Sequence, residues 1–498
     1  MSESHTSYGM SEHDIRRRTL HGIGWSGAQQ ALQQLLRFVI TILLIRLLTP
    51  EDFGQIGMIM VFAGIAQLFS ELGLGAAVVQ RKELRPEHLD SVFWANIVAG
   101  AALTGLFAAL AGPIADFYGL PQLRVLALVI SLNFFIGSFR VVQYSLLLRS
   151  MDFRRLALVE TAAVLLSGGL AVGLALAGYG IWSLVGQLLA LSFSTAVLLW
   201  LTGDWRPSFS FRFRALRELF AFSLNLLGFS LFDYTVTSSS HLLIGKFIGA
   251  PALGIYSRAD QLMLLPVTQV ANVISRVMFP ALSAIQDQVE RIKQIYLRAI
   301  RTISLLTFPL MLGLLVTARP FVLVVLGEQW REVIPLLQVF CLAGVTRSVG
   351  TTVGWIYTSR GRTDIMMRWG LIAGAVRLIA VIVGLRWGIF GVAVAWVASG
   401  YLILWYPSWA IAGRLINLSF SEMVRNLAGN FFCALGMAVT VFLIGRAVPD
   451  AWPLWQLLAV QVSAGAVIYI LLVTLFRLRS VQELRQLWSE RGKERNDG

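Results

Sequence analysis

Five arginines, Arg37, Arg140, Arg276, Arg347 and Arg377, stand deep inside stretches of sequence that are otherwise apolar. An arginine at the centre of a membrane-spanning helix costs roughly 2.5–3.5 kcal/mol on insertion scales. Five of them therefore require partners, water or a ligand. Acids in comparable surroundings are fewer: Glu71, Asp233 and Asp260, with Asp90 and Glu160 nearer the ends of their runs. The interior is net positive and suits an anion. A guanidinium keeps its charge when desolvated and grips phosphate oxygens in a bidentate fork, so the five arginines are candidates for holding a phosphate-bearing anion. Glu71, Asp233 and Asp260 are candidates for binding a small cation, and alternatively pair with individual arginines.

A polar stripe accompanies the charges. Gln30, Gln33, Gln34, Arg37 and Thr41 recur at three- and four-residue spacing, one face of a helix. Two hundred residues on, Ser230, Asp233, Tyr234, Thr237 and His241 take the same register. Both stripes are expected to line a central cavity.

The elements that must carry these residues are membrane helices. Of 498 residues, 57% are hydrophobic and only 14% charged, with a mean hydropathy of +0.71. Apolar runs of about 20 residues recur, the length that crosses a bilayer, whereas the short alternating segments of an outer-membrane barrel do not. The expected fold is an all-α polytopic membrane protein of about 14 spans. These fall at 24–48, 53–79, 89–111, 120–148, 156–177, 180–201, 219–248, 254–283, 295–317, 333–358, 367–385, 387–412, 422–445 and 454–476. Lys and Arg in the alternate connections number 28 on one side against 4 on the other, which predicts cytoplasmic N- and C-termini. The net charge of +14 is then a signature of loops facing anionic phospholipid rather than of nucleic acid.

The chain also resembles itself. "IRLLTPEDFGQIG" at 45–57 aligns with "GKFIGAPALGIYS" at 245–257, and Arg140 with Arg347. "GYGIWSLVG" at 178–186 aligns with "RWGIFGVAV" at 386–394. Six spans per copy is an even number, so the repeats are parallel lobes, an architecture that places substrate between them. The expected division is a cytoplasmic tail at 1–19, an N-lobe at 20–202, a cytoplasmic linker at 203–218 and a C-lobe at 219–412. Two extra spans follow at 413–477, then an amphipathic tail at 478–498, where Ser480 and Glu483 have capping-box spacing. No cleavable signal is expected ahead of the first span.

Several classes are excluded. No His, Cys, Asp or Glu cluster has metal-ligand spacing, and no phosphate-binding loop of an ATPase appears. Cys341 and Cys433, each inside an apolar run, are expected as small core residues. "GLGAAV" at 73–78 lacks the last glycine and the strand–helix setting of a dinucleotide fingerprint. External connections are short, the longest at about 318–332, which leaves no room for a catalytic domain and argues against a membrane glycan polymerase. A drug antiporter would want intramembrane carboxylates rather than an arginine excess.

Four segments carry a family resemblance: "RLLTPEDFG", "ELGLGAAVVQRKEL", "LLIGKFIGAPALGIYSRADQLMLLPV" and "VMFPALSAIQ". The chain from about residue 20 to 415 resembles the Wzx-type flippases of the polysaccharide transport family. These belong to the multidrug/oligosaccharidyl-lipid/polysaccharide exporter superfamily, and the likeness is to the colanic-acid and exopolysaccharide branch. The resemblance implies a transporter, not an enzyme, in a bacterial inner membrane. It implies ion-driven alternating access and a substrate of undecaprenyl-pyrophosphate-linked oligosaccharide destined for exopolysaccharide, capsule or O-antigen. A functional monomer is expected, with polysaccharide polymerase and export machinery as partners. No cofactor is expected beyond coupling H+ or Na+.

Overall fold

The computed structural model describes residues 30, 32–70, 75, 78–79, 85–210, 223–283, 285, 288–449 and 452–478, and every regular element among them is helical. With no water in a bilayer to satisfy backbone N–H and C=O groups, apolar runs close their hydrogen bonds internally. In chain order the helices are α1 (32–47), α2 (Pro50–Ser70), α3 (Pro86–Tyr118), α4 (Gln122–Ser138), α5 (Val141–Arg149), α6 (Phe153–Leu176), α7 (Trp182–Thr202), α8 (Ser223–Phe247) and α9 (Ala250–Ser283). There follow α10 (Val289–Phe321), α11 (Val333–Gly350), α12 (Val353–Ser359), α13 (Thr363–Gly384), α14 (Gly388–Ser399), α15 (Trp405–Arg414), α16 (Phe420–Ala447) and α17 (Leu454–Leu475). Among the described residues nine helical runs are long and apolar enough to cross a membrane, and the α4–α5 pair, bent by 42°, makes a tenth.

One of the nine, Thr363–Arg414, is 52 residues long. At 1.5 Å per residue it exceeds a ~30 Å hydrocarbon core more than twofold. It folds back at Gly388, whose φ of 68° is left-handed and costs a glycine nothing. Just inside the turn, a Cβ on Gly384 would stand 2.7 Å from the carbonyl oxygen of Gly391 and from the Cα of Val392. Bare backbone on both helices is what lets α13 and α14 close.

The starts Pro50, Pro86, Gln122, Phe153 and Trp182 recur in order as Ala250, Val289, Val333, Thr363 and Gly388, each about 200–210 residues on. Contacts divide the chain into Met1–Thr235 and Val236–Gly498, a cut that falls inside α8 rather than in the stretch 203–218.

In the first unit, "TPED" is a helix start. Thr49 N–H donates to Asp52 Oδ2 at 2.9 Å and Asp52 N–H to Thr49 Oγ1 at 3.3 Å, with Pro50 opening α2. This is a reciprocal capping box. The α4–α5 break lies at Phe139–Arg140, where the Ser138 hydroxyl bonds back to the Phe135 carbonyl and so satisfies a group that the broken helix leaves open. Residues 203–210, expected as linker, are strapped to this unit. Ser208 donates its N–H (3.0 Å) and its hydroxyl to Asp90, while Trp94 Nε1 donates to the Ser208 carbonyl and Gln143 Nε2 to that of Trp205. Phe93 packs edge-on against Trp94, Phe139, Trp200 and Trp205.

In the second unit the corresponding helix is broken too, between α11 and α12. Thr351 and Thr352 at the break donate to the carbonyls of Ser348 and Val349. The helix α10 begins earlier than the expected 295–317 and carries Arg301 in its fourth turn. That residue donates Nε and Nη2 to Asn426 Oδ1 on α16 at 2.9 and 2.6 Å. Asn430, one turn on, donates to the carbonyl of Arg301 and the hydroxyl of Ser304. Tyr469 on α17 donates to the Leu305 carbonyl. The expected external connection at 318–332 is mostly helical, with a π turn at Val322–Leu326 and a 3-10 turn at Glu328–Trp330. Cys341 and Cys433 are free and buried. The tail at 478–498 lies outside the described residues beyond Leu478.

Close approach at the α13–α14 turn is testable. Gly384→Ala should cost about 1–3 kcal/mol through overpacking and lower the melting midpoint of the detergent-purified protein. Gly370→Ala, where the added methyl meets open space, should leave it unchanged. Equal midpoints would refute the close contact.

Candidate functional site

Five helices of the second unit converge on one group of charged and aromatic side chains. Asp260 on α9 pairs with Arg347 on α11, Oδ1 to Nη1 at 3.6 Å, with side chains 21% and 26% exposed. The Arg347 guanidinium also lies over the ring of Trp396 on α14, 5.4 Å from its centroid. Arg377 on α13 covers the same indole at 5.1 Å. Each cation–π contact is worth about 0.5–2 kcal/mol depending on desolvation, so Trp396 holds two cations that would otherwise repel. From it an edge-to-face series runs through Phe340 (6.5 Å) and Tyr256 (5.1 Å) to His241 (5.9 Å). Tyr256 shares a hydrogen bond with Ser240. His241 lies within electrostatic reach of Asp260 and Arg258, and its Nε2 is buried without a partner among the described residues.

Helix geometry gives the depth. His241 and Arg377 lie six and seven residues before the ends of α8 and α13. Asp260, Arg347 and Trp396 lie ten, fourteen and eight residues after the starts of α9, α11 and α14. By alternation these ends share one side, so the group sits about 9–21 Å inside it, near the middle of a ~30 Å core. Arg347 is in the last turn of α11, where the helix carbonyls favour a cation, and four residues before the break at Thr351.

The first unit has a smaller group. Half-buried Arg140 opens α5, and Tyr144, one turn on, bonds Glu160 Oε1 on α6 at 3.2 Å while feeling the charge of Arg140. Arg37 on α1 is exposed. Neither the Arg37 nor the Arg140 side chain makes a hydrogen bond or ion pair among the described residues.

The expected residues thus divide. Arg347 and Arg377 come together; Arg37 and Arg140 belong to the other unit. The side chains of Arg276, Ser230 and Asp233 and the whole of Glu71 lie outside the described residues. Asp260, expected to take a coupling ion, is occupied by Arg347. The α1 stripe does not point one way. Gln33 is buried and donates Nε2 to the Ala157 carbonyl and to Thr161 Oγ1, both at 3.0 Å, which ties α1 to α6 instead of offering an amide to a ligand. Gln30 and Arg37 are exposed, and Gln34 and Thr41 half-buried. Of the second stripe, Tyr234 donates to the Met60 carbonyl at 2.9 Å beside Gly64, which tethers α8 to α2. Thr237 is exposed. Arg258 has a buried Nε and lies within electrostatic reach of His241. Sequence reading missed Trp396, Tyr256 and Tyr144. Only Tyr144 left a signal, standing four residues after Arg140 on one helix face.

Residues 43–335 match the family described as "Polysaccharide biosynthesis protein". The chain belongs to the polysaccharide biosynthesis protein family. It is 30% identical over 465 residues to the succinoglycan biosynthesis transport protein ExoT of Rhizobium meliloti (strain 1021), covering 91% of this chain and 92% of that one. To the lipopolysaccharide biosynthesis protein WzxC of Escherichia coli (strain K12) it is 25% identical over 441 residues, covering 86% and 88%. Its fold is similar to that of the lipid II flippase MurJ in an inward closed conformation, with a TM-score of 0.74, 15% identity, and 91% and 98% of the two chains covered. The family member described here is a multi-pass bacterial membrane protein, and its family match ends before Arg347, Arg377 and Trp396.

Gln33 separates packing from ligand contact. Gln33→Ala removes two interhelical bonds and should cost about 1–2 kcal/mol, read as a lower melting midpoint in detergent, with transport of the folded fraction retained. An unchanged midpoint with lost transport would return Gln33 to the ligand.

Proposed function

We propose that this protein is a flippase that moves an undecaprenyl-pyrophosphate-linked oligosaccharide from the cytoplasmic to the periplasmic leaflet, for exopolysaccharide, capsule or O-antigen assembly. Membership in the polysaccharide biosynthesis family supports the substrate class, and the named activities of ExoT, WzxC and MurJ agree with it. The observation that carries the reading is that the side chains of Arg37 and Arg140 meet no acceptor among the described residues. Two such guanidiniums in an apolar setting are suited to a ligand that brings its own anion.

In this reading Arg37, Arg140, Arg347 and Arg377, with Arg276, engage the pyrophosphate at successive stages of alternating access. Exposed polar groups such as Thr237 and Gln30 meet sugars. Transport is coupled to H+ or Na+ through Asp260, Asp233 or Glu71. Both termini are cytoplasmic, the lobes are 20–202 and 219–412, and each contains one broken helix, α4–α5 and α11–α12. The working unit is a monomer that hands substrate to a polymerase and export machinery.

Arg37→Gln combined with Arg140→Gln should abolish polymer export in a deletion strain while leaving membrane insertion and abundance intact, and lipid-linked repeat units should accumulate facing the cytoplasm. Export at the wild-type level in the double variant would sink the proposal. A drug antiporter would instead show altered drug susceptibility on deletion, and a polymerase would leave unpolymerised units on the periplasmic side.

A further inference from the structure

Arg140 and Arg347 hold matching places in the two units, yet their surroundings differ. Arg347 has a carboxylate partner in Asp260. The carboxylate beside Arg140 is Glu160, and it accepts from the Tyr144 hydroxyl at 3.2 Å instead. The Tyr144 N–H bonds the Arg140 carbonyl at 2.9 Å, so one helical turn separates the two residues. Their side chains leave one face, with Cβ atoms about 5–6 Å apart, and the charge of Arg140 reaches Tyr144. Arg140, Tyr144 and Glu160 are all half-buried. Where the first unit has Tyr144 the second has Thr351, whose hydroxyl bonds the Ser348 carbonyl rather than a carboxylate. Around Glu160 the backbone of α6 is tied to α1, since Gln33 donates to the Ala157 carbonyl and to Thr161. What can change there is the rotamer of Glu160.

We propose that Tyr144 is a positioning residue for the substrate's anion: its hydroxyl holds Glu160 off Arg140 and so leaves that guanidinium open to a pyrophosphate. This rests on the flippase reading and adds to it the residues that decide when Arg140 is available. The bidentate edge of a guanidinium takes one anion at a time, so Glu160 and a phosphate exclude each other at Arg140. Two anions trade places at one cation, and no proton or metal ion is carried in the exchange. A transporter must also release what it binds. The α4–α5 break lies at Phe139–Arg140, and bending there shifts Tyr144 against the anchored α6. Once Tyr144 lets go, Glu160 takes Arg140 and displaces the phosphate.

Titration calorimetry of the purified full-length protein with farnesyl pyrophosphate, a short lipid pyrophosphate, tests this as a double-mutant cycle. Tyr144→Phe removes only the hydroxyl and should weaken binding about tenfold. Glu160→Gln should tighten it about threefold or more. The double variant should bind within about twofold of Glu160→Gln, because the hydroxyl has no rival left to restrain. Opposite signs from the two partners of one hydrogen bond distinguish this role from a structural tie, which either loss would weaken alike. Variants are compared as the monodisperse fraction from gel filtration, and Glu160→Ala should tighten binding as Glu160→Gln does. A Tyr144→Phe defect that persists in the double variant makes Tyr144 a ligand contact and overturns the proposal. So does binding by both Glu160 variants that is no tighter than wild type. No binding at all by wild type overturns the flippase reading itself, a separate failure.

Discussion

A guanidinium cannot be left bare in hydrocarbon, and most of the polar architecture of this protein follows from that constraint. Each deep arginine is met differently. Arg347 has a carboxylate and an indole face, Arg377 shares that face, and Arg301 has a side-chain amide. Because carboxylates are scarce in these helices, aromatic faces and amides take the role that acids play in soluble proteins. Arg37 and Arg140 are the ones whose side chains meet no acceptor among the described residues, and the functional reading begins there.

Much of the fold was legible in the sequence because one force wrote it. Apolar runs must be helical in a bilayer, and the expected spans 156–177, 180–201 and 454–476 agree to within a few residues with α6, α7 and α17. The motif that carries the family likeness was legible for a local reason: "TPED" is a helix start whose donors and acceptors lie within four residues. Partners were not legible. Gln33 and Arg37 have the same helical register on paper, yet one reaches α6 and the other does not, and only the packing of α1 decides. Asp260 could be named as important but not matched to Arg347, since a residue's partner 87 positions away depends on how α9 and α11 lie together.

The breaks in α4–α5 and α11–α12 were hidden for another reason. Hydropathy reads 120–148 and 333–358 as single runs, because a break costs no apolar residues. The breaks rely on Ser138, Thr351 and Thr352 to absorb freed carbonyls, and such hydroxyls also occur in unbroken helices, as Thr307 in α10 shows. That equivalent helices of both units break near equivalent arginines, at Arg140 and just after Arg347, says that the repeat preserves a mechanical property as well as a sequence.

The seam between α10 and α16 bears on how the chain is made. Arg301 and its acceptor Asn426 are separated by 125 residues. At a synthesis rate of about 5–20 residues per second, Arg301 enters the membrane roughly 6–25 seconds before that amide exists. During this interval the long side chain, in the fourth turn of α10, can reach back toward the interface. The last two helices therefore do more than lengthen the bundle: the amide that receives Arg301 arrives with them, late in synthesis.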